Sequence, residues 1–600
     1  MSPPTQIKQR AVAPDSPMLP DDIPAWLQRI LLARGITSVD EVNLELSKLH
    51  APTMAGLPEA VAVLAKAIRD DQSILIVGDY DADGATSTAL AVRALRAMGA
   101  RRVDFRVPDR VLFGYGLSEQ LAHDIIESHQ SIPDASMPDV IVTVDNGISS
   151  VAGVALLKHH GIQVVVTDHH LPGDVVPDAD AIVNPNQAGC GFPSKALAGV
   201  GVMFYCLIAL RAHLRDAGWF EAQGIEQPNL TAWLDLVALG TVADVVPLDP
   251  VNRVLVAQGL KRIRQQACCP GIRALFQVAG RDIARAAADD LGFYVGPRLN
   301  AAGRLDDMSE GIRCLITDDP TEATDLAEHL HSMNHQRRNL QRSMQKQAEY
   351  AVQQLRLTDQ QNRSHTLVLH HRDWHEGVVG LVSSQLKSLY HRPTVAFAPS
   401  ASGEWKGSAR SVDGLHIRDA LALVDTRYPD LIIKFGGHAM AAGLSIHEHA
   451  LAEFAAAFEE AVDIIMDGAT LQPIIWTDGQ LDSAELNLDN ARLIERMGPW
   501  GQCFEKPVFE GVFELLDQKI VGERHLKVTL GMAGTNRVVE GIKFQHGPEL
   551  LPDNAPLRCV YKMDVNHFRG VDRLQLLIEH MALAKEAKPS SRVDRARARV

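Results

Sequence analysis

The chain has no Cys-x-x-Cys pair. Its seven cysteines, Cys190, Cys206, Cys268, Cys269, Cys314, Cys503 and Cys559, show no zinc-site spacing, and an odd number completes no disulfide framework. They read as structural thiols of a reducing compartment, so any metal must be held by histidine and carboxylate. Long apolar runs are absent too, which excludes a membrane-spanning helix. The first twenty residues carry five prolines and no apolar core of the signal-peptide kind, so a loose N-terminal tail and a cytoplasmic address are expected. Positive charge is in short supply. The net charge of −15 argues at face value against a nucleic-acid partner, which needs local positive potential. Whole-chain charge governs solubility more than site chemistry, so basic clusters must be sought locally.

What is present is ample core material. Hydrophobic residues make up 46% of 600 and charged residues 22%, as in soluble globular proteins, and this length predicts roughly three to five domains. From about residue 55, continuous Val/Ile runs alternate with amphipathic stretches: "SILIV" then "STALAVRALRAMGA", "DVIVTV" then "SSVAGVALLKHHG", and "IQVVVT" then a loop. This rhythm predicts a buried parallel sheet with helices on both faces. "LTAWLDLVALGTVADVVPL" reads as a helix ending near Gly240 and a loop carrying Asp244. Residues 322 to about 356 lack Pro and Gly and predict one long helix. "HTLVLH", "GVVGLVSSQLKSL" and "PTVAFA" begin a second α/β rhythm, and after about 470 short alternating segments predict a small β-rich domain. The last dozen residues read as a solvated basic tail.

The stretch "SILIVGDYDADGATSTAL" runs from a strand into Asp79, Asp81 and Asp83 at every second position. Carboxylates this close raise one another's pKa values unless cations sit among them. A turn rich in Asp and Gly with a capping Asp is the plainer reading of that loop alone. Three further strand ends carry metal-competent groups: Asp145 in "VTVDNG", Asp168, His169 and His170 in "VVVTDHH", and Asp244 in "TVADVV". Carboxyl ends of parallel strands share one edge, where ligands bind, so these groups are expected to converge. Carboxylate plus imidazole without thiolate suits Mn²⁺ or Mg²⁺, and so many anionic ligands suit two ions about 3.5 to 4 Å apart.

In order and separation, "GDYDADG", "VDNG", "TDHH" and "VADVV" resemble the four motifs of the DHH phosphoesterase superfamily. "VPDRVLFGYGLS", "IVNPNQ", "LAGVGVMF", "GPRLNAAGRLDD", "WHEGVVGLVSSQL", "GSARS" and "FGGHAMAAGLS" are similar to blocks of the RecJ single-strand-specific exonuclease family, over about residues 20 to 580. Asp109 and Phe113 depart from the pattern, which has Asn before the arginine and acidic residues before "GYG". The resemblance implies an exonuclease that degrades single-stranded DNA from its 5′ end to 5′-mononucleotides, in DNA repair and recombination. It implies Asp79, Asp81, Asp83, Asp145, His169 and Asp244 as metal ligands, with Asp145 bridging two ions. His170, Asp168, Asn300 and Arg304 are implied at catalytic positions. Arg110, Ser408 and Arg410 are implied to hold a terminal 5′-phosphate, with Arg298 and His438 also lining the substrate cleft. The implied fold is multidomain α/β. It runs through an N-terminal tail and helical segment (1–50), a DHH domain (51–275), a helical connector (276–358), a DHH-associated domain (359–466), an oligonucleotide-binding-fold-like domain (467–585) and a basic tail (586–600). Single-stranded DNA is the implied partner, with a single-strand-binding protein and a RecQ-type helicase as protein partners of a monomer that contacts no membrane.

The residues give independent support. Arg338, Arg342 and Lys346 recur every four residues in a window, 331 to 346, with no acid, and so form one basic helix face. Taken alone this is a solvated face; in a nuclease it suits a nucleic-acid backbone, and Arg338 and Arg342 are assigned to substrate. Trp374, Trp405 and Trp500 are base-stacking candidates, although burial is the commoner fate of tryptophan. Two other functions compete: a phosphoesterase of the same core acting on short oligonucleotides, cyclic dinucleotides or pyrophosphate, and a catalytically silent DNA-binding subunit. Neither the β-rich domain nor the basic helix has a use in the first, and the full set of metal groups argues against the second.

Overall fold

The computed structural model describes residues 5–13, 19–109, 112–131, 137–358, 364–400, 403–467, 472–532, 535–552, 555–568 and 570–584. The expected basic tail lies outside them. The chain divides into two compact units, one holding Leu44–Pro473 and the other joining Gln6–Asn43 to the chain from Ile474 onward.

The larger unit begins with five parallel strands: β1 (Ile74–Gly78), β2 (Val103–Arg106), β3 (Val140–Val144), β4 (Gln163–Thr167) and β5 (Ala181–Val183). Every residue of β1 and β3 is buried, which is why both read as unbroken Val/Ile runs. The spatial order is β2-β1-β3-β4-β5. In that order the connections leave β1 and β3 in opposite directions, opening a crevice at their carboxyl ends. Asp79 follows β1 and Asp145 follows β3, so the order of strands alone places both in this crevice.

Helix α1 (Ala82–Ala97) leaves the acidic loop, α2 (Gly199–Asp216) packs against it, and α3 (Leu234–Ala243) packs on both. The expected end of α3 near Gly240 moves three residues on, and Asp244 is its C-cap rather than a loop residue. Then come α4 (Gly296–Leu305) and the long helix α5 (Pro320–Thr358), expected from its lack of Pro and Gly. A second sheet follows, built from β6 (Leu367–His370), β7 (Thr394–Pro399), β8 (Trp405–Arg410), β9 (Lys434–Gly437) and β10 (Ala441–Ile446) in the order β9-β10-β8-β7-β6. Only β6 and β7 are parallel in it. Helix α6 (Val379–Tyr390) packs on β7 and β8.

The smaller unit contains a closed barrel of β11 (Phe509–Val521), β12 (His525–Met532), β13 (Val538–Lys543), β14 (Pro556–Phe568) and β15 (Val571–Leu583) in the order β11-β12-β13-β15-β14. Part of the expected loose N-terminal tail belongs here. Gln6–Gln9 is a strand paired in parallel with Ile474–Thr477, and Trp26, on the helix Ala25–Ala33, meets Phe509 edge-on at 6.2 Å. Arg34 and Asp478 form a two-pronged ion pair at 2.7 and 2.9 Å with both side chains buried. Removing one partner of such a pair strands a buried charge, at a cost of about 3–5 kcal/mol. None of this shows in local sequence, because the partners come from opposite ends of the chain, Arg34 and Asp478 being 444 positions apart.

Candidate metal centre and substrate groove

The acidic loop is held from several sides. Asp81 caps α1, its carboxylate accepting from the Asp83 and Gly84 amides at 2.9 and 3.0 Å. The capping role offered as the plainer reading is therefore real for Asp81, and it coexists with a place in the cluster. Asp83 accepts from the Gly199 and Val200 amides at 2.6 and 3.0 Å, at the start of α2 where the helix favours negative charge. Position 199 has to be glycine, since a Cβ there would press into the Asp145 side chain. Asn300 on α4 accepts from the Ala82 amide at 2.7 Å, so it braces the first turn of α1.

All six expected ligands come together. Asp79, Asp81 and Asp145 offer ligand atoms within 4.8 Å of one another, as do Asp83, His169 and Asp244, and a third such set joins Asp145, His169 and His170. Asp145 and His169 each belong to two sets, so they stand where two neighbouring ion positions would meet. Buried with no hydrogen-bond partner are Asp145 Oδ1, His169 Nε2 and Asp244 Oδ2, although the imidazole nitrogen lies only 3.1 and 3.5 Å from the two carboxylates. Buried polar atoms are normally satisfied, and these three face one another. The backbone is strained here as well: Asp145 has φ 63° and the β-branched Val245, next to Asp244, has φ 61°.

Electrostatics gives the same answer. Burial and then the neighbouring Asp81 raise the Asp83 carboxyl to about 7. Asp145 and Asp244 are raised well above the carboxylate range, by burial and then by Asp83. His169 is pushed down to about 4 by burial and by His170, and its bond to the Leu197 main chain holds the ring in place. A crowd of carboxylates that resist ionising together, beside a neutral imidazole, fits divalent cations with oxygen and nitrogen ligands. This yields a prediction. In metal-free protein, Asp83, Asp145 and Asp244 bind protons more tightly folded than unfolded, so their contribution to stability falls as pH rises above the ordinary carboxylate range, for Asp83 through about 7. The lowered His169 works in the opposite sense between about 4 and 6.5, one group against three. Mn²⁺ should therefore raise the melting temperature more at pH 8 than at pH 5, its whole stabilisation at pH 8 being about 2.7 kcal/mol per site at a hundred times Kd. Melts with Mn²⁺ or EDTA at the two pH values measure this, and an equal shift at both would refute it.

Asp168 sits deeper than a reacting group. It is fully buried and accepts from the Ile148, His169 and His170 amides and from His170 Nδ1 at 2.8 Å. It therefore positions His170, whose pKa it raises against the opposing effect of burial. Tyr115 is the residue that the sequence reading passed over. Its hydroxyl donates to the Asp145 carbonyl at 3.2 Å and lies 3.1 Å from His170 Nδ1. The signal was in "FGYGLS": Gly114 and Gly116 have φ 77° and 67°, and this double left-handed turn projects the ring between them.

Beside this cluster runs a groove of about 1150 Å³, lined by Tyr80, Arg304, Lys406, Ser408, Arg410 and Gly443 among others. Arg410 Nη1 donates to Ser408 Oγ and to its own neighbour's carbonyl, Ala409 O, both at 2.9 Å. Arg304 reaches the Gly377 carbonyl at 3.1 Å. His438, in the turn between β9 and β10, lines a smaller recess of about 380 Å³ with Tyr115, Asp168 and His170. Arg110 lies outside the described residues. Arg298 does not line the groove: it is buried, donating to the Tyr294 carbonyl at 2.5 Å and to His331 Nδ1 on α5 at 3.0 and 3.1 Å. An arginine in a glycine-rich block reads as a phosphate ligand, but this one fastens α4 to α5. The three candidate tryptophans are buried, Trp374 and Trp500 with their N–H groups bonded to Gln347 and the Ile494 carbonyl.

Known proteins share these parts. The model of the DHH family N-terminal domain matches residues 73–241, that of the DHHA1 domain 350–463, and that of the RecJ OB domain 477–580. The single-stranded-DNA-specific exonuclease RecJ of Dickeya dadantii is 50% identical over 585 residues, 96% of this chain and 99% of that protein. The chain belongs to the RecJ family. Two RecJ crystal structures from Thermus thermophilus agree in fold. The one in complex with Mn²⁺ has a TM-score of 0.79 at 27% identity, covering 97% of this chain and 80% of that one. The one in complex with Mg²⁺ has a TM-score of 0.73 at 26% identity, covering 97% and 79%. The RecJ OB match covers the barrel but not residues 6–43, which fold with it.

Proposed function

We propose that this chain is a metal-dependent exonuclease that removes 5′-mononucleotides from the 5′ end of single-stranded DNA. The observation that carries this is the cluster of six metal-competent side chains, whose acidic loop reaches through Tyr80 into a groove that also holds Arg410 and Ser408. Two Mn²⁺ or Mg²⁺ ions held by Asp79, Asp81, Asp83, Asp145, His169 and Asp244 would neutralise developing charge and supply an activated water. Arg410 and Ser408 seat the terminal phosphate, which presents the next phosphorus to that cluster. Water adds across the P–O bond, the 3′ oxygen of the first nucleotide leaves with a proton, and the shortened strand keeps a 5′-phosphate. His170, oriented by Asp168, stands where it can hold or pass that proton, and Asn300 keeps the acidic loop in register. Digestion of end-labelled single strands with and without a 5′-phosphate, in Mn²⁺ and in EDTA, tests the reading; release of internal fragments, or digestion from the 3′ end, would reject it.

The same reading places the enzyme in the cytoplasm, in DNA repair and recombination, acting as a monomer on strands exposed by a RecQ-type helicase or covered by a single-strand-binding protein. No helix among the described residues is long and apolar enough to cross a membrane. On α5, Arg342 and Lys346 are exposed and Arg338 half-buried. If this face follows the DNA backbone, Arg338→Glu with Arg342→Glu should weaken binding and reduce the slope of log K against log salt by about 1.4, the counterions of two single-strand phosphates. An unchanged slope would return the face to a merely solvated one.

A further inference from the structure

The basic face of α5 ends in an aromatic residue. Tyr350 follows Lys346 by the same four-residue step that separates Arg338, Arg342 and Lys346, so all four side chains lie on one stripe about 18 Å long. The opposite side of the helix is the packed one, where Met344, Ala348 and Val352 enter the core under the second sheet. Tyr350 is 64% exposed, an unusual setting for so large a ring. From His329 to Ala348 this helix has no acid, in a chain of net charge −15. At its near end the stripe approaches α4, where the charge of Arg338 is felt at Arg298, the arginine that ties α4 to His331 of α5.

We propose that Tyr350 is a base-stacking residue, the far end of a track on which α5 holds the single strand downstream of the cut. The three cations meet the backbone phosphates and the tyrosine ring meets a base face, the pairing of charge and stacking by which single strands are held without regard to sequence. This inference rests on the chain binding single-stranded DNA.

The test is equilibrium binding in EDTA, read by fluorescence anisotropy, of an oligothymidylate and of an abasic strand of the same length, to the full chain. Tyr350→Ala should raise Kd for oligothymidylate about fivefold to a hundredfold. Its salt slope should stay that of the wild type, whereas Arg342→Gln should lower the slope by about 0.7. Tyr350→Phe should bind as the wild type does. On the abasic strand, Tyr350→Ala and wild type should bind alike. Unchanged oligothymidylate affinity in Tyr350→Ala, or an equal loss on both strands, would overturn the stacking role. A wild type that binds neither strand would instead overturn the nucleic-acid reading on which it rests.

Discussion

Asp145→Asn should lower the rate of single-strand hydrolysis at saturating Mn²⁺ by at least about a thousandfold, the equivalent of roughly 4 kcal/mol in the barrier. Asp145 is the carboxylate that belongs to two of the candidate ligand sets, with one oxygen buried and unbonded, so if it bridges two ions its loss would remove charge from both positions together. Asparagine is the informative replacement, because it keeps the shape and tolerates the left-handed backbone at φ 63°. The fold should survive. A carboxyl that burial and its neighbours hold well above the ordinary range weakens the metal-free protein when it ionises, so the variant should melt in EDTA no lower than wild type at pH 8. Its gain in melting temperature with Mn²⁺ should shrink at the same time. Near-normal turnover would show that Asp145 does not bridge the ions, whereas a collapsed melting curve would make it a structural residue.

The convergence of the candidate ligands was legible because of a topological rule. Parallel strands end on one edge, so a metal-competent residue just past a Val/Ile run has few other places to go, and Asp79, Asp145 and His169 follow from that alone. Asp244 was found by motif and placed by structure, as the C-cap of α3, where a helix terminus rather than a loop brings it to the cluster. What each polar group does was harder to read. Asp168 and His170 are two positions apart, yet one is buried under four hydrogen bonds and the other is a third exposed. Arg298 and Arg304 lie on the same helix and share a glycine-rich block, but six residues of helix turn them to different neighbours, His331 and the groove. Sequence reveals which side chains are present near an edge; which of them keep a lone pair or a proton free depends on partners far along the chain.

Arg410→Ala should reduce cleavage of 5′-phosphorylated single strands about tenfold to a hundredfold and leave 5′-hydroxyl strands much less affected, narrowing the preference between them. On β8, Ser408 and Arg410 are two residues apart and so project from the same face of the sheet toward the groove. Arg410 is already turned onto Ser408, at 2.9 Å from its hydroxyl. Gly380, at the start of α6, makes room for the pair, since a Cβ there would come within 3.0 Å of both Arg410 Nη2 and Ser408 Oγ. A planar guanidinium beside a hydroxyl suits a terminal phosphate, which offers several oxygens to donors fixed in direction. Each charged hydrogen bond lost at the transition state costs about 1.5 to 3 kcal/mol, which sets the size of the effect. If Arg410 seats the terminal phosphate, polarity follows, because only a strand entering by its 5′ end would then present its next phosphorus to the candidate metal ligands. The comparison needs one oligonucleotide in both end states, at fixed salt and saturating Mn²⁺, with KM and kcat separated. A loss confined to KM on the phosphorylated strand would mean that the end is bound equally before and during reaction; a loss in kcat would mean that seating the end also aligns the bond to be cut. Equal losses on both strands would assign Arg410 to the backbone or the fold, and the source of polarity would then lie with residues outside β8.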